Sequence, residues 1–182
     1  FDLHYSAPTR AAAGFANILA AQPWADRVHL HISDEGTRCD LDAVMARAPK
    51  SAHAYTCGPD AYMQSVMTAA ENAGFPEDTR HLEYFSTPET PDYVNHPFTL
   101  KLADGRTIPV TAEQSAADAL IDAGIPVDLK CSDGLCGVCK CGLSGGEVEH
   151  RDFVLSSAQR ETAIILCQSR AAVKDGVVEI DL

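Results

Sequence analysis

The chain has 182 residues, of which 46% are apolar and 22% charged, and its formal net charge is −12. This composition is that of a globular protein with a buried core, and the length allows one large domain or two small ones. The negative charge disfavours nucleic acid as a partner, and no apolar run reaches the roughly 18 residues that would predict a membrane span.

The first half of the chain alternates strand and helix signals. Strands are predicted at residues 1–6, 27–33, 53–57 and 81–85, and helices at residues 10–21, 41–47 and 59–73. Pro59 at the start of the last helix and Gly74 just past its end are typical helix boundaries. The alternation predicts an α/β unit over residues 1–86, with a parallel sheet and helices on both faces.

Residues 87–96 are rich in proline and acidic side chains, and we interpret them as a linker. Residues 97–182 follow a different pattern. Strands at 98–102 and 107–110 flank Asp104-Gly105, a strong hairpin signal. A helix at 115–123, a cysteine- and glycine-rich loop at 130–142, and short strands at 164–169 and 177–180 complete a small α+β domain.

The chain has seven cysteines, an odd number, so a pure disulfide framework would leave one of them unpaired. No secretory signal opens the chain, so we expect a reducing cytoplasm, where grouped cysteines usually indicate metal binding or catalysis. Cys131, Cys136 and Cys139 are spaced C-x4-C-x2-C, and Cys167 follows within an apolar strand. This is the plant-type spacing for a [2Fe–2S] cluster, so these four cysteines are the predicted ligands.

Other interpretations of the cysteines compete with this one. A structural zinc site would use four thiolates, usually from two C-x2-C pairs, and only one such pair is present. Cys141 forms a Cys-x-Cys with Cys139 and is a ligand in principle, but its place at the start of the next strand favours a packed residue. Cys39 stands alone and is expected to be structural.

Residues 131–170, and in particular the SGGEVEHRD stretch at 144–152, resemble the C-terminal ferredoxin domain of the phthalate dioxygenase reductase family. In that family an FMN domain, an NAD domain and a ferredoxin domain follow one another in a single chain. The resemblance implies a partial nucleotide-binding α/β domain at 1–86, followed by a plant-type ferredoxin (β-grasp) domain at 97–182. It also implies that electrons pass to a terminal oxygenase or demethylase of the Rieske type.

The resemblance also assigns roles in the first segment. Cys57-Gly58-Pro59 ends a strand and begins a helix, where open α/β sheets bind ligands. The matching family motif places a thiol near the nicotinamide, so Cys57 would be catalytic and Gly58 and Pro59 would shape the NADH pocket. Phe85 matches an aromatic that covers the flavin, although without the resemblance a core residue is the favoured interpretation. Thr9 and Arg10 follow the first strand, where such domains hold adenosine, although Arg10 reads equally as a solvated residue.

The chain contains no Gly-rich phosphate loop and no candidate FMN domain. Both would precede Phe1 in the family, so we expect the chain to be part of a longer NAD(P)H-dependent reductase. The alternative is a stand-alone [2Fe–2S] electron carrier whose first segment binds nothing. His29 and His31 share one strand face, which favours a solvated face, with a two-histidine metal site as the alternative.

Overall fold

A computed structural model describes all 182 residues, which divide into two compact units, Phe1–Glu83 and Tyr84–Leu182. None of the helices combines the length and the apolar character needed to cross a membrane. The chain therefore forms two separate sets of internal contacts.

The first unit contains parallel strand pairs connected through helices. Its elements are β1 (Leu3–Ala7), α1 (Ala16–Ala20), β2 (Val28–Ile32), α2 (Leu41–Arg47), β3 (Ala54–Thr56), α3 (Asp60–Asn72) and β4 (Arg80–Leu82). Strand β1 pairs in parallel with β2, and β3 pairs in parallel with β4. Parallel pairing requires a crossover between the strands, which the intervening helices supply.

Helix α3 contributes four buried side chains to this unit. Met63, Val66, Ala69 and Ala70 are buried at the spacing of one helix face. The helix begins after Pro59 and ends before Gly74, which has a φ of +85°. Both boundary residues therefore act as the sequence predicted.

Two predicted elements of the first unit differ in the structure. The helix expected at 10–21 is interrupted: a 3-10 turn spans Arg10–Ala12, and α1 begins only at Ala16. Gly14 lies at the interruption, where its low helix propensity favours a break. The strand expected at 81–85 ends at Leu82, because its partner β3 ends at Thr56 and the last ladder bond runs from Glu83 N to Thr56 O at 3.1 Å.

The second unit is built on a five-stranded mixed sheet. Its elements are β5 (Phe98–Leu102), β6 (Thr107–Val110), α4 (Ala116–Asp122), β7 (Lys140–Gly145), β8 (Val148–Glu149), α5 (Ser157–Arg160), β9 (Ala163–Ile165), β10 (Arg170–Ala171) and β11 (Val177–Ile180). The strand order is β6-β5-β11-β7-β9, and only β5 and β11 run parallel. The predicted hairpin at Asp104-Gly105 is present, and Gly105 has a φ of +88°.

One hydrophobic core fills the second unit. Leu100, Leu120, Ile164, Val178 and Ile180 in this core are fully shielded from solvent. Helix α4 contributes four buried residues, and the Ala117 amide donates to the Leu166 carbonyl at 3.1 Å. The helix is thereby attached to the segment that leads into Cys167.

Residues 87–96, which the sequence indicated as a linker, have no regular secondary structure and contact the second unit. Arg151 donates to Asn95 Oδ1 at 2.6 Å and lies over the Tyr93 ring at 4.2 Å from its centre. Arg170, which is buried, donates to the His96 carbonyl at 2.9 Å. Two arginines therefore hold this segment against the second unit.

Candidate metal centre

The loop between Lys130 and β7 carries three of the predicted cysteine ligands on a tightly curved backbone. Ser132, Gly134 and Gly137 all have positive φ, at 59°, 73° and 70°. Glycine adopts this conformation without steric penalty, but Ser132 does not. The Gln168 side chain, which donates to the Ser132 carbonyl at 2.7 Å, holds this residue in place.

The four thiols form two pairs. Cys131 interacts with the Cys136 thiol, and Cys139 interacts with the Cys167 thiol. Cys136 is exposed, whereas Cys139 and Cys167 are buried. The distant cysteine is therefore brought against the loop, opposite its last thiol.

Backbone amides and neighbouring thiols favour the charged form of one sulfur in each pair. Burial opposes ionisation of Cys131, but hydrogen bonds from the Asp133 amide and the Cys136 thiol lower its pKa to about 7. The Asp133 amide lies 3.4 Å from Cys131 Sγ. For Cys139, the hydrogen bond from the Cys167 thiol is the main cause that lowers the pKa to about 6. The pKa of Cys167 is raised because its proton serves that bond and because the residue is buried.

The segment that follows β8 is hydrogen-bonded to the cysteine-containing loop and holds it in place. The Phe153 amide donates to the Gly134 carbonyl at 3.1 Å, and the buried Asp152 carboxylate accepts from the amides of Val154 and Leu155 at 3.1 and 2.8 Å. Asp152 and Gln168 are thus positioning residues that the cysteine spacing did not reveal. Asp152 ends the SGGEVEHRD stretch, so that motif carried part of the signal.

Cys167 lies after a strand and not within it, which corrects the prediction of a strand at 164–169. Strand β9 ends at Ile165, and a turn follows in which the Ser169 amide donates to the Ile165 carbonyl at 3.0 Å. The Leu166 amide donates to the Cys139 carbonyl at 3.2 Å.

Cys141 is positioned differently from the four paired thiols. It lies in β7 opposite Ile164 and is buried in the hydrophobic core. Burial is the main cause that raises its pKa. This environment is that of a small apolar side chain, which agrees with the expected packing role.

The donor set fits a [2Fe–2S] cluster better than a single tetrahedral ion. Each iron of such a cluster takes two thiolates, and the structure presents two thiol pairs. The Asp133 amide already points at one sulfur, as expected for N–H groups that stabilise thiolate charge.

The site residues predicted in the first unit are less closely grouped than the four thiols. Cys57 is exposed directly after β3, and Gly58 has a φ of +153°. Tyr62 in the first turn of α3 hydrogen-bonds through its hydroxyl to Ser6 Oγ at 3.1 Å. The carboxyl ends of β1 and β3 therefore lie on the same side of this unit.

Thr9, Arg10 and Phe85 have other environments. Thr9 accepts from the Ala12 amide at 3.2 Å and caps the 3-10 turn. Arg10 forms a two-bond pair with Glu35 at 2.7 and 2.6 Å. Phe85 is 86% exposed, so in this chain it does not close a core.

Comparisons with known proteins agree with this geometry. Residues 101–172 match the 2Fe-2S iron-sulfur cluster binding domain family. The chain is 40% identical over 92% of its length to phenoxybenzoate dioxygenase subunit beta of Ectopseudomonas oleovorans. It is 32% identical over 99% of its length to phthalate dioxygenase reductase of Burkholderia cepacia.

Two solved structures are similar at 32% sequence identity over the whole chain. One is phthalate dioxygenase reductase, with a TM-score of 0.55 and 56% of that chain covered. The other is an intact type IV self-sufficient cytochrome P450 monooxygenase, with a TM-score of 0.73 and 24% of that chain covered. The chain spans about half the length of the curated relatives that it matches, 52% and 56% for the two named above.

The second unit thus carries a 2Fe-2S iron-sulfur cluster binding domain. Over nearly its whole length the chain is similar to phthalate dioxygenase reductase and to the oxidoreductase and reductase subunits of a vanillate O-demethylase and a carnitine monooxygenase.

Proposed function

We propose that the protein is the reductase component of an oxygenase or demethylase system and that its second unit delivers single electrons to the terminal enzyme. The observation that carries this proposal is the arrangement of Cys131 with Cys136 and Cys139 with Cys167 in two pairs. A [2Fe–2S] cluster bound there supplies a centre that accepts and releases one electron at a time. We assign these four thiolates as its ligands.

The protein's own residues set the conditions for this transfer. The amides of the loop stabilise negative charge on the sulfurs, and Gln168 and Asp152 keep the loop in one conformation. Cys136 and Val138 are exposed, which leaves one edge of the centre at the surface. That edge is where an acceptor would dock.

The first unit contributes to NADH oxidation in this proposal. Cys57 at the end of β3 would lie near the nicotinamide, with Gly58 and Pro59 forming the adjoining turn. Thr9 and Arg10 would face the adenosine end, which requires Arg10 to leave its pair with Glu35. Phe85 would cover the ring of an FMN held elsewhere in the full-length protein, and its exposure is consistent with such a contact.

The fold proposed for the whole is a partial nucleotide-binding sheet followed by a β-grasp ferredoxin domain. The parallel pairs β1–β2 and β3–β4 support the first assignment. The mixed sheet, with α4 packed across it, supports the second.

The test is to purify the protein anaerobically and to measure its metal content, visible spectrum and reductive titration. We expect about two irons and two labile sulfides per chain, a red-brown colour and the uptake of one electron. A colourless protein with one zinc per chain would overturn the cluster assignment. With the full-length protein, NADH should reduce first a bound flavin and then the cluster, whereas a stand-alone [2Fe–2S] carrier would bind neither NADH nor flavin.

The acceptor is tested separately. The reduced full-length protein is mixed with a Rieske-type oxygenase and with a haem monooxygenase, since the chain is similar both to the reductase of a dioxygenase and to part of a self-sufficient cytochrome P450. Faster electron delivery to the Rieske-type enzyme is the expected result.

A further inference from the structure

A second cluster of metal-ligating side chains lies in the first unit, far along the sequence from the four paired cysteines. His4 in β1, His31 in β2 and Cys39 just before α2 place one ligand atom each within 4.8 Å of one another. His4 Nδ1 lies 3.0 Å from His31 Nε2 and 3.9 Å from Cys39 Sγ. Each of the three residues is partly buried.

We propose that His4, His31 and Cys39 form a zinc-binding site. Zn–N and Zn–S bonds of about 2.0–2.1 Å and 2.3 Å in a tetrahedron imply donor separations of about 3.3 Å between nitrogens and 3.6 Å between nitrogen and sulfur. The observed separations of 3.0 and 3.9 Å differ from these by a few tenths of an ångström. Small side-chain rotations therefore suffice to close the site around the ion.

The orientation of His31 is already that of a metal ligand. Its Nδ1 lies 3.0 Å from the Thr37 carbonyl, so this nitrogen carries the proton and donates it, and Nε2 presents its lone pair to the site. Ligating histidines commonly donate their other ring N–H to a carbonyl in this way. Thr37 is itself fixed, because its hydroxyl accepts from the Ile32 amide at 2.7 Å and donates to the Ile32 carbonyl at 3.1 Å.

The fold brings the three residues together from separate elements. His4 and His31 lie on adjacent parallel strands, displaced by two positions in the register. The turn after β2, in which Gly36 has a φ of +74°, reverses the chain and places Cys39 beside β1. The sequence indicated only the pair His29 and His31, because His4 and Cys39 do not form a recognisable ligand spacing with them.

Zinc is the metal that this donor set favours. Two imidazoles and one thiolate match the borderline-soft character of Zn²⁺, and three protein ligands leave a fourth position for solvent. On binding, the Cys39 thiol releases its proton to solvent and coordinates the ion as a thiolate. His4 coordinates through Nδ1 and keeps its proton on Nε2. No electron is transferred in this step. The ion would connect β1, β2 and the start of α2.

A second histidine pair in the same unit provides a matched control. His53 Nδ1 lies 2.9 Å from His81 Nε2 on the strands β3 and β4. No cysteine or acidic side chain completes a group of three around this pair. It therefore reproduces the histidine contact without the third ligand.

The test uses the protein with its iron–sulfur cluster bound, so that the four paired thiols are occupied. Zn²⁺ alone is titrated by calorimetry after chelator treatment, and iron and zinc are counted by elemental analysis. We expect one zinc per chain with no loss of iron. Cys39→Ser and His4→Gln should each weaken binding by more than about 100-fold, beyond the loss typical of outer-shell changes. His53→Gln should leave binding unchanged.

X-ray absorption at the zinc edge identifies the ligands directly, because iron does not contribute there. The expected shell has one sulfur at about 2.3 Å and two nitrogens at about 2.0–2.1 Å. A shell of four sulfurs, equal weakening by His53→Gln, or binding that survives Cys39→Ser would overturn the proposal. Melting curves of the zinc-free variants show whether any of them has failed to fold.

Discussion

At the scale of single residues, the candidate centre depends on how closely the loop approaches its support. At Gly134 a Cβ atom would lie 3.2 Å from Asp152 Cα and 3.3 Å from Gln168 Cγ, and φ is +73°. A side chain here would be strained by the backbone conformation and crowded by its neighbours. Gly124 has a similar φ of +78°, but nothing lies within 4 Å of its Cβ position.

These two glycines give a matched pair of substitutions. Gly124→Ala should lower the free energy of unfolding by about 1–2 kcal/mol, because the left-handed conformation alone opposes it. Gly134→Ala should lower it further and should release the cluster more readily, because the loop must move away from Asp152. Denaturant unfolding and the rate of cluster bleaching measure the two effects, and equal results for both variants would contradict the proposed close packing.

The cysteines make a second prediction at this scale. Cys136→Ser should remove or strongly destabilise the cluster, because one iron loses a thiolate. Cys141→Ser should retain it, because Cys141 lies in the core and not among the paired thiols. Iron content and the visible spectrum are the measurements. Bleaching by Cys141→Ser together with retention by Cys167→Ser would refute the ligand assignment.

At the scale of elements, helix α4 links the core to the segment that carries Cys167. Ser115 and Asp118 form a reciprocal capping box at its start. The Ala117 amide in the first turn bonds to the Leu166 carbonyl, one residue before Cys167. The stability of the helix start should therefore be coupled to the position of Cys167, the fourth proposed ligand.

Removing the N-terminal cap of α4 should affect both the stability of the protein and the retention of the cluster. Ser115→Ala should cost about 1 kcal/mol of stability, the usual value for a lost helix cap. Ser115→Thr keeps a hydroxyl at the cap and should restore most of it. The melting temperature measures the stability, and the rate of cluster bleaching measures how well Cys167, the fourth proposed ligand, holds the cluster. If Ser115→Ala lowers the melting temperature without changing bleaching, the coupling between α4 and Cys167 is absent.

At the scale of the whole molecule, each unit has its own contacts, and all four paired cysteines belong to the second. Residues 84–182 should therefore fold alone and retain the cluster. A piece beginning at residue 97 should be less stable, because it lacks Tyr84, which packs on Phe153 with ring centres 5.5 Å apart, and Asn95, which binds Arg151. Thermal melting of the two pieces tests this, and equal stability would show that 84–96 contributes nothing.

The charged side chains near the cysteine loop lead to a prediction about how an acceptor protein docks. Of the acidic residues near the loop in sequence, Asp152 is buried and Glu149 is paired with Arg151, so neither is free to attract a partner. Asp128, Asp133 and Glu147 remain exposed, beside Lys130 and Lys140. A bound oxidised cluster with four thiolates adds about −2. The surface is thus negative, but less so locally than the sequence indicated.

Electrostatic steering should accelerate docking to a basic patch on the acceptor. Electron delivery should slow as salt rises from about 20 mM to 500 mM, because the Debye length falls from roughly 20 Å to below about 5 Å. Stopped-flow oxidation of the reduced cluster measures the rate, and Asp133→Asn should reduce the salt dependence. A flat or rising rate, with Val138→Ser slowing transfer, would indicate that apolar contacts control docking.

The sequence by itself determined the elements whose signals are local. The hairpin at Asp104-Gly105, the strands Phe98–Leu102 and Val177–Ile180, and α3 between Pro59 and Gly74 lie where turn residues and periodicity indicated. The cysteine spacing identified a cluster-binding domain, because three thiols in one tight loop have few other uses. Each of these signals lies within a few residues of the feature that it predicts.

Only the tertiary structure decided the features that join distant parts of the chain. The pairing of Cys139 with Cys167, the support of the loop by Asp152 and Gln168, and the grouping of His4 with His31 and Cys39 depend on strand register and chain reversals. The helix signal at 10–21 failed for a different and local reason, because the alanines did not outweigh a break at Gly14. Contacts between distant residues are set by the packing of whole elements, which no local pattern of side chains encodes.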